Sequence, residues 1–269
     1  MLLTNKNAVI YGAGGSLGGA VARALAAEGA AVFLTGRTLS AVKRLADEIR
    51  SAGYMAEAAE VDALNKQAVN DHLLSVARTA GTVDVSYNAI GWQDTQNIPL
   101  TDMTPADFTR PVSIAMESLF ITATAAGRVM MKQRSGVILS LTATPGGIGY
   151  PLVGGFGPAC CAVEGFSRNL AAELGPYGIR VVNIRSGGSP DSRVFREATD
   201  NHPEEMRTVI SKLENDTMLK KLPAMQDIAN TAVFLASDKA NKITGATIDV
   251  TCGTVNALNY RTLGVPFPK

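Results

Sequence analysis

The chain has 269 residues, 46% hydrophobic and 18% charged, with a formal net charge of +1. That balance describes a globular protein with a sizeable core and leaves no electrostatic footprint for nucleic acid or an anionic membrane. Its three cysteines and two histidines lack zinc-ligand spacing, which argues against a metal site.

The first apolar run, Asn7 to Ile10, is short enough for a buried parallel strand, and Ala20 to Glu28 reads as helix. Between them lies YGAGGSLGG, Tyr11 to Gly19. Gly12, Gly15 and Gly18 fit a GxxGxxG spacing around Ser16, while Leu17 occupies the last glycine of the commoner dinucleotide fingerprint. Such a turn lets backbone amides and the helix dipole approach a pyrophosphate, although many glycines serve only turns and close packing. The second apolar run, Ala31 to Thr35, ends at Gly36 and Arg37, where a dinucleotide fold places the group that reads the adenosine ribose. Arg37 suits a 2′-phosphate, so the expected cofactor is NADP(H); a solvated surface arginine is the plainer alternative.

Leu39 to Ser51 is helical, Ala56 to Val61 a third strand, and Ala68 to Ala80 a helix. Asp62 closes the third strand, where it could accept from an adenine amine or cap the next helix. Val83 to Tyr87, the fourth strand, runs into Asn88, Ala89, Ile90 and Gly91 at the carboxyl edge of a parallel sheet, which favours a cofactor contact over simple turn chemistry. Trp92 follows as a candidate pocket wall. Thr104, Pro105 and Asp107 start a helix expected to reach about Lys132, with a kink at Pro111 just before Ala115.

No charged residue lies between Arg134 and Glu164, but prolines and glycines break that stretch, so a strand, a pocket loop and a buried helix explain it better than a membrane span. Gly136 to Leu141 is the fifth strand, Cys161 to Gly175 a helix, Ile179 to Ile184 the sixth strand, Ala224 to Ser237 a helix and Ala246 to Val250 the last strand. The long polar connection 187–222 reads as a flap over the site, and the tail after Thr254 is too short for a domain. Strands alternating with helices predict a single-domain Rossmann-type α/β fold over 1–269, a doubly wound parallel sheet covered on both faces. The opening MLLTNKNAVIYG holds no signal-peptide pattern, so a cytoplasmic protein is expected.

The order of these motifs resembles the short-chain dehydrogenase/reductase family over nearly the whole chain. NAIG looks like the family's NNAG, and AVEGFSRNLAAELGPYGIRVVNIRSG looks like its helix and sixth strand. Ser16 stands at the middle glycine of the family's commonest loop, and Ser186 where the family has the proline of a PG pair. In the family, a tyrosine and a lysine four residues later transfer the proton, with an upstream serine and an asparagine on the preceding long helix. The resemblance puts Phe156 at the tyrosine, Cys160 at the lysine, Ala143 at the serine and Ala115 at the asparagine. A phenyl ring has no proton to give, and a thiol supplies neither a cation nor a lysine's reach, so the usual carbonyl reduction should fail.

Thr144 and, less favourably, Thr142 flank the serine position, and Tyr150 is the nearest phenol, more in keeping with lid packing because Gly154, four residues on, could not activate it. The expected substrate pocket is Trp92, Ala143, Thr144, Tyr150, Phe156 and Cys160, with no catalytic residue assigned. Three functions are compatible: an NADP(H)-dependent oxidoreductase on a substrate needing little protein acid, a redox-silent NADP(H)-binding subunit or sensor, and a non-redox enzyme using the apolar pocket. The resemblance also implies a homo-oligomer, tetramer or dimer, built on the small-residue faces of the Thr104 and Cys161 helices.

Overall fold

In the computed structural model, residues 1–256 are described. Seven parallel strands, β1 (Asn7–Tyr11), β2 (Ala31–Gly36), β3 (Ala56–Glu60), β4 (Val85–Asn88), β5 (Gly136–Ala143), β6 (Ile179–Ser186) and β7 (Thr247–Val250), stand in the order β3-β2-β1-β4-β5-β6-β7. The chain winds outward from β1 through β2 to β3, then crosses back to β4. The strand order therefore reverses at β1 and β4, and a crevice opens there at the carboxyl ends.

The helices are α1 (Ser16–Ala27), α2 (Leu39–Ser51), α3 (Lys66–Ala80), α4 (Pro105–Gln133), α5 (Phe156–Leu174), α6 (Arg193–Asn201), α7 (Pro203–Asn215) and α8 (Met225–Ala236). One sheet face packs Leu34, Leu139 and Ile184 against Val21 and Leu25 of α1, Val42 of α2 and Ile228 of α8. The other packs Val9 and Ile138 against Leu73 of α3, Leu119 of α4 and Val163 and Leu170 of α5. Both faces of the central strands are thus apolar, which is why they read as short continuous hydrophobic runs.

Two helices begin a full turn or more earlier than their periodicity indicates. α1 starts at Ser16 rather than Ala20, directly off the glycine loop. α5 starts at Phe156 rather than Cys161, because Pro158 falls in the first turn, where its missing N–H had no intrahelical partner. α4 runs unbroken through Pro111, with Thr104 capping it by accepting from the Asp107 N–H at 3.1 Å. It is long and apolar enough to cross a membrane by length and composition, but 56% of its apolar window is buried in the protein core. Within the connection 187–222, α6 and α7 carry no buried residue. Most of the tail after Thr254 lies outside the described residues.

Candidate active site

The glycine loop is shaped by close approach. Gly12 has φ +76°, and a Cβ there would stand 2.6 Å from the Ala89 carbonyl oxygen; at Gly18 it would stand 2.4 Å from the Gly12 carbonyl oxygen. Neither position has room for a side chain, so these two glycines hold β1, β4 and α1 together at the crevice. Gly15 caps α1 without a side chain, leaving the first-turn amides without a side-chain acceptor there. Leu17 packs into the core behind the loop.

A cleft of about 690 Å³ opens in front of it. Gly12 and Gly15 from the glycine loop, Arg37 after β2, Asp62 after β3, and Ala89 and Gly91 after β4 all line it. Arg37 is exposed and makes no hydrogen bond or ion pair among the described residues. Asp62 accepts from the Leu64 N–H at 3.0 Å, so its carboxylate serves the local turn while lining the cleft. Asn88 is buried; its amide donates to Thr122 Oγ1 at 2.9 Å and its oxygen accepts from the Ile90 N–H at 3.1 Å, fixing the strand end against α4. Ser16 accepts from the Arg193 N–H at 3.0 Å. Arg193 and Val194, from the connection read as a flap, also line the cleft, as do Gln93 and Ile114, which no sequence signal had marked.

Beside this cleft, Phe156 and Cys160 lie one turn apart on α5. The Phe156 ring meets the Trp92 indole at 5.3 Å between centroids. Cys160 is fully buried, so it forms part of the wall behind the expected pocket rather than its surface, and burial pushes its thiol up to about 12. Ala115, on α4, is also buried. Ala143 ends β5, paired in register with Ser186 of β6. Thr142 is committed elsewhere, donating to Glu164 Oε1 at 3.0 Å and accepting from Asn183 Nδ2 at 2.7 Å. Thr144 is buried, and among the described residues its hydroxyl reaches only the Ser186 carbonyl oxygen, at 3.5 Å. Tyr150 is 38% exposed and lines a different hollow of about 640 Å³, formed by Leu100 and the 145–154 loop with Cys161; burial and the charge of Asp216 raise its phenol.

One turn beyond Cys160 stands a buried ion pair. Arg185 donates to Glu164 through Nε at 3.0 Å and Nη2 at 2.6 Å, and through Nη1 to Asp249 at 3.2 Å. The hydrogen bonds and the charge of Glu164 hold the guanidinium in its cationic form. A charged residue inside the apolar run VVNIRSG is the signal that a buried partner exists.

The fold agrees with comparisons across known proteins. Residues 12–255 match the family described as Enoyl-(Acyl carrier protein) reductase. The 3-oxoacyl-(acyl-carrier-protein) reductase FabG of Staphylococcus epidermidis is 31% identical over 251 residues, 93% of this chain and 98% of that protein. The short-chain reductase protein NovJ of Streptomyces niveus is 29% identical over 248 residues, covering 91% and 92%. Among solved structures, NAD+-bound xylitol dehydrogenase superposes with a TM-score of 0.87 at 25% identity, covering 94% of this chain and 100% of that one. The chain belongs to the short-chain dehydrogenase/reductase family, whose Rossmann-type fold it shares.

Proposed function

We propose that this family member is an NADP(H)-dependent oxidoreductase with an apolar active site, passing hydride to a substrate that needs little acid from the protein, such as an iminium ion or an activated alkene. The observation that carries the reading is the contrast between two neighbouring regions. The dinucleotide cleft keeps its glycine loop and a cation, Arg37, that is unpaired among the described residues, whereas the neighbouring wall has the Phe156 ring with Cys160 and Ala115 buried in the core and Ala143 at the end of β5.

The residues fit the cofactor. Gly91 lines the cleft with nothing within 4 Å of where a Cβ would stand, and the uncapped amides of α1 suit a pyrophosphate. Gly12, Gly15 and Ser16 would hold that group, Arg37 the 2′-phosphate, and Asp62, Ala89 and Gly91 the adenosine side and floor. When bound, the cofactor supplies hydride chemistry. Trp92 and Phe156 exclude water and offer faces to an apolar or aromatic substrate, but neither carries a transferable proton. No buried ammonium remains to need a partner, so the apolar set is self-consistent, which marks a repurposed site rather than a damaged one.

The absence of a proton-relay side chain at Phe156 and Cys160 supports a second reading, a redox-silent NADP(H)-binding subunit. Mixing the protein with NADPH and a panel of imines, enones and ketones while following cofactor absorbance separates the two: consumption with imines or enones supports the oxidoreductase, and binding without turnover supports the silent subunit. Arg37 adds a charge-assisted contact worth about 1.5 to 3 kcal/mol, so NADPH should bind one to two decades more tightly than NADH, and Arg37→Ala should erase the difference. Equal affinities in the unaltered protein would refute the cofactor choice. A cytoplasmic homo-oligomer completes the reading, supported by the exposed Phe120 of α4, which meets Phe166 of α5 edge-on at 6.2 Å.

A further inference from the structure

We infer that Arg193, the first residue of α6, binds the cofactor pyrophosphate and thereby draws the flap of α6 and α7 onto the glycine loop; the inference rests on the cofactor reading above. Arg193 and Val194 come from a segment more than 150 residues beyond the glycine loop, yet line the same cleft as Gly12, Gly15 and Arg37. The two segments are joined by a hydrogen bond from the Arg193 N–H to Ser16 Oγ at 3.0 Å.

That bond has a structural reason. Arg193 opens α6, so its N–H has no intrahelical acceptor, and Ser192 before it provides no side-chain cap. Ser16, the first residue of α1, supplies the missing oxygen. The amino ends of two helices therefore meet at one hydroxyl, each with its positive dipole end, and Arg193 itself lines the cleft they share. Asp62 is the one carboxylate lining the cleft among the described residues, and it lies on the Arg37 side. Two arginines against one carboxylate leave the cleft with a net positive charge suited to a dinucleotide carrying several phosphate charges.

Arg193 is otherwise lightly engaged. Its ion pair is with Glu197 at 3.7 Å, both side chains 65% exposed, a geometry that solvent screens and that a phosphate oxygen can outcompete. Because α6 and α7 bury no residue, the flap is held at its two ends, where Asp191 accepts from the Met225 N–H and the Met218 N–H donates to the Cys252 carbonyl oxygen, more than along its helices. The tether to Ser16 starts the Arg193 side chain at the α1 end of the cleft, which is why the assignment is to the pyrophosphate and not to the 2′-phosphate.

The test is calorimetric titration of NADPH and NADH into the unaltered protein, Arg193→Ala, Arg193→Lys and Arg37→Ala. Arg193→Ala should weaken both dinucleotides alike, by about tenfold, leaving the preference for NADPH intact, and Arg193→Lys should recover part of the loss. Amide hydrogen exchange across 193–215 should slow when NADPH binds the unaltered protein and slow less in Arg193→Ala and Ser16→Ala. A loss confined to NADPH would make Arg193 a second 2′-phosphate ligand and overturn the assignment. Unchanged affinities in Arg193→Ala, with Arg37→Ala still abolishing the preference, would overturn this inference alone. Failure of the unaltered protein to bind either dinucleotide would overturn the cofactor reading as well.

Discussion

The indole of Trp92 and the ring of Phe156 pack at 5.3 Å between centroids with 47° between their planes, closing the wall between the β4 end and α5. Trp92 is the single tryptophan of the chain and is 8% exposed, so its emission reports this wall alone. Phe156→Ala should admit water and shift that emission to the red, and NADPH should quench it in the unaltered protein. An emission maximum unmoved by Phe156→Ala would show that the ring does not shield the indole.

The Glu164–Arg185 pair predicts a stability signature. Its side chains are 7% and 13% exposed, so Glu164→Gln leaves a nearly buried guanidinium with only Asp249 as ionic partner. A loss of about 2 to 3 kcal/mol is expected by chemical denaturation, with part of it recovered when Arg185→Met is added. A loss below about 0.5 kcal/mol would mean that solvent reaches the pair freely.

Much of the fold was legible because the strands are buried on both faces and the helices between them carry ordinary stop signals. The glycine loop, Arg37, Asp62, Ala89 and Gly91 converge on one cleft because a parallel sheet delivers the residues after β1, β2, β3 and β4 to the same edge. What lay outside sequence reach depends on side-chain direction and on contacts between distant segments. Arg193 joins the cleft through a bond to Ser16 that no local pattern encodes. Cys160 turned out to be wall rather than surface because its side of α5 packs with Ala159 and Val163 into the core. Tyr150, expected in the substrate pocket with Trp92 and Phe156, lines a separate hollow with Leu100 and the rest of the 145–154 loop.

Acid should destabilise the protein through His72. Burial depresses its pKa to about 4, and its Nδ1 has no partner among the described residues. Above pH 6.5 the ring is neutral folded or unfolded and has no effect. Between about 6.5 and 4 only the unfolded chain takes the proton, so stability falls as pH falls, by up to about 3 kcal/mol. His72→Gln should flatten the denaturation midpoint against pH across that window; an unchanged slope would assign the acid sensitivity to other groups.

The α4 and α5 surface predicts the assembly state. Phe120 is 53% exposed on α4, next to Phe166, and covering it with a second copy removes apolar area from water. Phe120→Asp should shift light-scattering mass from oligomer to monomer. A monomer mass for the unaltered protein at micromolar concentration would refute the interface.

The central claim is that this wall cannot move a proton as the family's does. Phe156→Tyr alone should give little carbonyl reduction, since an isolated phenol keeps a pKa near about 10, and Cys160→Lys alone should destabilise by burying an unpaired ammonium. Restoring Ser at Ala143, Asn at Ala115, Tyr at Phe156 and Lys at Cys160 together should couple these effects. The most direct measurement is NADPH-dependent ketone reduction by the unaltered protein beside this quadruple variant. The expected result is no turnover by the unaltered chain and more activity in the variant than the single changes would sum to; strong ketone turnover by the unaltered protein would contradict the account.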